Sequence, residues 1–424
     1  MEERYPQTLN RFIYLFFFQF CSTLIPRPIQ KFFSVVVGDL FYVLMRKTRT
    51  HVQKNMEGVG RGRWSKERVN VLTRKTFQNY GQYLLDYMVM HRLLPSNKDR
   101  WVEEEVGADY MVEALRGGKG AICITPHLGN WEIGGLLFSF KGGNLNVLTL
   151  DERDLDTRSF REEMRRRRGI KNLYINPKDD SPMAILDAVK ALRRNEIVAM
   201  LGDRIESQKT MVFDFFGRGT PFPIGVAMLA MATGAPVLPV FVVMERNRKY
   251  RGVIEPPIYF NPSSRGDREA VIREGMAKLI KKFEVYIEKY PDQWYNFYSF
   301  WEERICAPLP SPLPTGETDA FLPVGRGGGE KRRKMVEPND HLIDKIKQLI
   351  IERLRLEDMT PEMIKDDAPL FGEGLGLDSI DALELVLGLE KEFGVIIPDA
   401  EVGKKVFQSV RTMAQYVLEH QGTA

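Results

Sequence analysis

Five short runs rich in β-branched and apolar residues are spaced along residues 121–290: AICIT, LNVLTL, NLYIN, EIVAMLG and PVLPVFVVM. Between them lie stretches of helical character at 156–168, 181–194 and 222–233. Strands separated by helices are joined by crossovers, and crossovers connect parallel strands. This region is therefore predicted to be α/β, a mostly parallel sheet covered by helices. In such sheets ligands bind beyond the carboxyl ends of the strands.

One stretch at such a strand end is unusual. TPHLGNWEIGG, residues 125–135, sets His127 just past the run AICIT, in a chain with only 5 histidines. Asn130 is a good N-cap residue and predicts a helix start there. His127 and Glu132 are five residues apart, which on one helix would separate their side chains by about 140°. With His127 in the turn and Glu132 in the first helical turn, the two are expected to converge. The carboxylate would then fix the imidazole tautomer and leave the other ring nitrogen as a general base facing the cleft. No GxSxG, CxxC, HExxH or GxxxxGK[ST] occurs. A base without a protein nucleophile suits transfer of an already activated acyl group to an alcohol or amine, with the helix N-terminus favouring the oxyanion. Taken alone, the pair is more readily a satisfied structural histidine.

The rest of the chain divides sharply. Its length of 424 residues suggests two or three domains, and a hydrophobic content of 43% is ample for a sizeable core. Residues 306–338 are rich in Pro, Gly and charge and lack apolar periodicity, so they are predicted to be a flexible linker. As flexible coil, about 30 residues span roughly 30 Å. Residues 335–424 carry 18 acidic against 9 basic side chains, net −9, and the preceding residues 39 against 52, net +13. A basic body joined to an acidic tail points to two modules with different partners. The basic run 153–168, with seven arginines, suits an acidic carrier or anionic headgroups, or is a solvated helix face. The 3 cysteines show no disulfide or zinc spacing, which fits a reducing compartment and no metal site.

From Phe12 to Met45 the only charges are Arg27, Lys31 and Asp39. Pro26 and Pro28 cut this stretch into apolar pieces of about 14 residues, shorter than the ~20 of a membrane span. Two short helices lying in one leaflet are expected, with Arg46, Lys47 and Arg49 at the headgroups. A buried helical hairpin and a single tilted span are the alternatives. Membrane lipid, not nucleic acid, is the expected partner of the basic body.

HLGNWE and the run LGDRIESQKTMVFDFFGRGTPFPIGVAMLAMATGAPVLPVFVV at 201–243 resemble the bacterial lipid A late acyltransferase family. This is a branch of the lysophospholipid acyltransferase superfamily, whose hallmark is His-x4-Asp/Glu. The resemblance spans about residues 5–305. It implies a membrane-associated enzyme at the cytoplasmic face of the inner membrane that moves a fatty acyl chain from an acyl carrier protein thioester to a lipid hydroxyl. It also implies His127 as base and Glu132 as its partner, with Asn130 completing the motif on the substrate side. Asp203 and Arg204 are implied in the acceptor site, where Arg204 would grip a phosphate through two parallel hydrogen bonds.

Past the linker, HLIDKIKQLIIERL puts Leu342, Ile343, Ile346, Leu349, Ile350 and Leu354 on one helical stripe. LGLDSIDALELVLGLEKEFGVIIPD then resembles an acyl carrier protein over about 337–421, with Ser379 matching the site that receives 4′-phosphopantetheine. Ile380 stands where Leu is commoner.

The expected organisation is thus membrane-anchor helices over 1–50, an α/β acyltransferase domain over 51–305, the linker 306–338, and an all-α four-helix carrier over 339–424. A phosphopantetheinyl transferase and acyl-loading synthases are implied partners. Two other functions fit the same sequence: a membrane-tethered carrier serving other synthases, and a thioesterase-like hydrolase.

Overall fold

The computed structural model describes residues 27–150, 162–163, 165–175, 185–205, 209–302, 338–356, 359–371, 374–377, 379–398 and 400–421. The linker and most of the basic run 153–168 lie outside them. The chain resolves into two compact units, an α/β unit ending at Cys306 and a helical unit containing Ala307–Ala424.

The α/β unit opens with three helices, α1 (Arg27–Leu44), α2 (Arg46–Gly60) and α3 (Lys66–Val89). Pro28 falls in the first turn of α1, where its missing N–H removes no helical hydrogen bond. Gly38 permits close crossing of α1 on α3, since a Cβ there would stand 2.6 Å from Gln78 Cα. Ser34 Oγ donates to Gln82 Oε1, and Asp39 accepts from Arg74 and Gln78. The face of α1 turned to the protein is therefore small and polar. Its large apolar side chains point outward: Phe32 is 66% exposed, Leu40 54% and Leu44 66%.

These helices bear on the expected anchor. The boundary at residue 50 falls inside α2, whose Val52 and Met56 join Val69 and Phe77 in one core cluster. Residues 27–60 thus belong to the α/β unit. No helix among the described residues is long and apolar enough to cross a membrane, and residues 1–26 of the expected anchor lie outside them.

The next elements are β1 (Val102–Val106), α4 (Ala108–Arg116), β2 (Ala121–Thr125), α5 (Trp131–Phe140), β3 (Leu145–Leu150), β4 (Ile170–Ile175), α6 (Leu186–Arg193) and β5 (Ile197–Leu201). A hairpin of β6 (Thr210–Phe215) and β7 (Arg218–Pro223) follows, then α7 (Gly225–Thr233), β8 (Val237–Met244), β9 (Tyr250–Ile254) and α8 (Arg268–Lys289). The 7-stranded sheet has the order β1-β9-β8-β2-β5-β3-β4. The strands from β8 to β4 are mutually parallel, as the alternation predicts. β9 pairs antiparallel to β8 and parallel to β1, so one edge of the sheet is reversed. Buried on both faces, β2 and β8 read as unbroken apolar runs.

Register decides what meets at the top of the sheet. β2 and β5 are neighbours, and Thr125 pairs with Leu201 at their carboxyl ends. Two residues further on stand His127 on one chain segment and Asp203 on the other.

The helical unit comprises, among the described residues, α9 (Asp340–Leu354), α10 (Ser379–Phe393), α11 (Ala400–Val406) and α12 (Val410–His420). The predicted stripe holds except at Leu342, which is half-buried: Ile343, Ile346, Leu349, Ile350 and Leu354 are buried, and so are Leu383, Val386 and Leu387 of α10. Asn339 caps α9 by accepting from the Leu342 amide.

Candidate active site

The turn carrying His127 is clamped from two sides. The Gly129 amide donates to the Gln293 carbonyl and the Asn130 amide to that of Val242 in β8. The His127 carbonyl accepts from the Tyr295 amide. Gly129 has φ +67, and a Cβ there would lie 2.0 Å from the Val242 oxygen, so only glycine fits. The Asn130 side chain accepts from the Ile133 amide and starts α5.

The partner of His127 is Asp203. Its Oδ1 lies 2.5 Å from His127 Nδ1 and accepts from the His127 amide at 3.0 Å. Its Oδ2 accepts from Trp294 Nε1 and Asn296 Nδ2, each at 3.0 Å. Burial alone would raise the Asp203 pKa, but the His127 imidazole, Arg204 and Asn296 hold it well below the usual carboxylate range. Burial lowers the His127 pKa, and Asp203 only partly opposes it. A neutral imidazole bonded to a carboxylate through Nδ1 carries its proton there. Nε2 is left with a lone pair, which is the state of a general base.

Glu132, the expected partner of His127, faces elsewhere. As the second residue of α5 its carboxylate turns toward β4, where Oε1 accepts from Arg165 Nη2 at 2.6 Å and Oε2 from Arg165 Nε at 3.3 Å. Convergence of residues 127 and 132 fails because the turn at Gly129 sends the imidazole to the β5 side of the strand end.

The three residues expected to hold substrate are used within the protein. Asn130 is 1% exposed, and its amide nitrogen donates to the Tyr250 hydroxyl. Asp203 is fully buried. Arg204 does not present a free fork for phosphate: Nε donates to Asn296 Oδ1 and Nη2 to the Tyr295 carbonyl. Arg204 instead braces the loop that holds Asp203.

Sequence reading missed that loop, residues 291–301. Its signal is aromatic density, with Trp294, Tyr295, Phe297, Tyr298, Phe300 and Trp301 in one run. Phe215 of the β6–β7 hairpin packs against Trp294, Phe300 and Trp301, which gives the segment FFGRGTPFP a supporting role behind the site. On the open side Trp131 stands edge-on to His127, with ring centroids 5.5 Å apart, and Tyr83 of α3 lies 4.9 Å beyond it. Tyr80, Tyr83 and Trp131 are half-buried.

In the helical unit Ser379 is the first residue of α10. A phosphodiester on that residue would stand at a helix N-terminus, where backbone amides and the helix dipole favour negative charge. The position therefore fits 4′-phosphopantetheine. The side chain of Ser379 and all of Asp378 lie outside the described residues.

Comparison with known proteins agrees with both halves. Residues 1–303 match the family of bacterial lipid A biosynthesis acyltransferases, and residues 344–417 match the phosphopantetheine attachment site family. A phosphatidylinositol mannoside acyltransferase of Mycobacterium tuberculosis is 27% identical over 237 residues, 53% of this chain and 69% of that protein. An acyl carrier protein of Zymomonas mobilis is 39% identical over 77 residues, 18% of this chain and 91% of the carrier. One from Wolinella succinogenes is 41% identical over 63 residues, 15% of this chain and 78% of the carrier.

Proposed function

The chain belongs to the bacterial lipid A biosynthesis acyltransferase family and ends in a carrier domain that bears covalent 4′-phosphopantetheine, and on that premise we propose a reaction for the pair. An acyl chain passes from a carrier thioester to the hydroxyl, or amine, of a lipid. The observation that carries the proposal is the His127–Asp203 pair at the carboxyl ends of adjacent parallel strands.

His127 Nε2 takes the proton of the acceptor hydroxyl as its oxygen attacks the thioester carbonyl. Asp203 stays ionised and stabilises the imidazolium. The tetrahedral oxyanion develops next to the first two amides of α5, on Trp131 and Glu132, which an α-helix leaves without intrahelical acceptors. Collapse would break the carbon–sulfur bond, and the imidazolium of His127 would return its proton to the sulfur that leaves. The phosphopantetheine arm contributes the activated thioester and a good leaving group. A phosphopantetheinyl transferase would install it on Ser379 and separate synthases would load it.

An acceptor-dependent assay separates this reading from a hydrolase. Acyl carrier thioester consumption should require added lipid and yield acylated lipid. Consumption at the same rate without lipid, with free fatty acid as product, would favour the thioesterase.

The outward apolar side of α1 supports work at a lipid surface, and the cytoplasmic face of the inner membrane is the proposed location. Fully burying a side chain such as Phe or Leu is worth about 1.5–3 kcal/mol. Phe32→Asp combined with Leu40→Asp is therefore expected to weaken binding to anionic vesicles at least about 10²-fold in co-sedimentation. Salt alone should not release the wild-type protein, because apolar burial is not screened. Unchanged sedimentation of the double variant would remove α1 from the membrane contact.

A further inference from the structure

The loop that holds Asp203 has little regular structure of its own. Residues 295–299 form neither helix nor strand, so their buried backbone groups need partners from elsewhere. One side chain supplies three bonds to this loop. Asn55 lies on the buried face of α2 with Val52, Met56 and Val59, a polar residue in an apolar stripe, and is 1% exposed. Its Nδ2 donates to the carbonyls of Asn296 and Tyr298, each at 2.8 Å, and its Oδ1 accepts from the Phe300 amide at 2.9 Å. Two carbonyls on one side and an amide on the other allow a single orientation of the Asn55 amide. The loop held in this way carries the Trp294 and Asn296 donors to Asp203 Oδ2. Phe297 of the same loop packs on the core cluster of Val52, Met56, Val69 and Phe77. Arg204 is tied to it as well, through Asn296 Oδ1 and the Tyr295 carbonyl.

We propose that Asn55 is a positioning residue for acyl transfer, which sets the loop so that Trp294 and Asn296 fix the Asp203 carboxylate against His127. The site thereby reaches into the N-terminal helices. This rests on the acyl-transfer reading above. The charged groups that act on His127 are Asp203, which favours the imidazolium, and Arg204, which opposes it. Donors on Asp203 Oδ2 draw on its negative charge. When the loop slackens, more of that charge acts on the imidazole, Arg204 loosens, and water reaches a ring that burial now keeps neutral. All three changes favour the imidazolium, so the titration midpoint of His127 should rise.

The test uses the full-length phosphopantetheinylated protein, with palmitoyl-loaded free acyl carrier as donor and the native cell's total lipid extract as acceptor. Asn55→Ser should lower kcat about 10²-fold, the cost of misplacing reacting groups by about 1 Å. KM for the donor should stay within about twofold, since the lost contact is to the loop and not to the donor. Rates are referred to the folded fraction from near-ultraviolet circular dichroism, so that lost stability alone changes nothing. The His127 midpoint, followed by NMR on labelled histidine, should rise in Asn55→Ser and in Asn296→Ala, and fall in Asp203→Asn. Asn55→Ser combined with Asn296→Ala should lower kcat by less than the product of the single effects, because both act through one carboxylate. If Asn55→Ser does not fold, Asn55→Gln, whose amide is displaced by one methylene, is read by the same two criteria.

An asparagine that served stability alone would leave the folded molecules with the wild-type midpoint. An unmoved or lowered His127 midpoint in the Asn55 variant would therefore overturn the proposal, and so would single effects that simply multiply. Activity surviving in His127→Ala would instead overturn the acyl-transfer mechanism itself, so the two failures are distinct.

Discussion

His127→Ala is expected to cut acyl transfer by about 10²–10⁴-fold, the range lost with a general base. The protein should remain folded and bound to lipid. His127 sits in a turn held by main-chain bonds, from the Tyr295 amide to its carbonyl and from the Gly129 and Asn130 amides to Gln293 and Val242, and these persist with alanine at 127. The loss should appear at every pH. Steady-state rates at saturating donor, beside thermal unfolding of the same preparation, check this. Wild-type turnover in His127→Ala would remove the base from the mechanism.

Asp203→Asn is expected to be at least as damaging, by about 10⁴-fold, as when the carboxylate behind a catalytic imidazole becomes an amide. An amide can present N–H to His127 Nδ1, which forces the ring proton onto Nε2 and removes the basic lone pair from the acceptor side. One carbonyl oxygen must also serve the His127 amide, Trp294 and Asn296, where two carboxylate oxygens did before. The pH profile carries a further sign. In wild type, burial holds the His127 pKa below its ordinary 6.5, so the rate should rise with pH through a midpoint under that value and be level at neutrality. Asp203 is the contact that partly raises that pKa. Its neutralisation should therefore move the midpoint to lower pH while the plateau falls. Asp203→Asn activity equal to wild type, or a midpoint that rises, would contradict the pairing.

The contrast between Glu132 and Asp203 shows what the sequence makes legible. Local pattern revealed the strands ending at Thr125 and Leu201, the helix starting after Asn130 and the place of His127 just past a strand end, because each depends on neighbours within a few residues. Glu132 was the natural partner by spacing, but at five residues the direction of the intervening turn decides whether two side chains meet. That turn is bent by Gly129, whose positive φ answers to Val242, more than a hundred residues away. Asp203 was visible as part of a motif but not as the base's partner. That role follows from β2 lying beside β5 with Thr125 opposite Leu201, a pairing set by packing of the whole sheet. Arg204 read as a phosphate fork because GDR at 202–204 resembles a block of the family. Its use on Asn296 and the Tyr295 carbonyl depends on a loop that carries no strand or helix period. The reversed edge strands β1 and β9 escaped for the same reason, since direction is not written in a strand's composition. The carrier was legible almost throughout, because its apolar stripe and the position of Ser379 are local to its helices.

The central proposal is transfer of an acyl group from this chain's own carrier to a lipid through His127. A tethered donor reaches effective concentrations on the order of millimolar, which should exceed that of free carrier. The direct measurement loads the phosphopantetheine on Ser379 of the full-length protein with a labelled acyl chain, in vesicles of the native cell's lipids, with excess unlabelled free acyl carrier. The label should pass into lipid in the wild-type protein, little diluted by the free donor, and should remain on the carrier in His127→Ala. Label released as free fatty acid, lipid labelling undiminished in His127→Ala, or product drawn from the unlabelled donor alone would contradict the account.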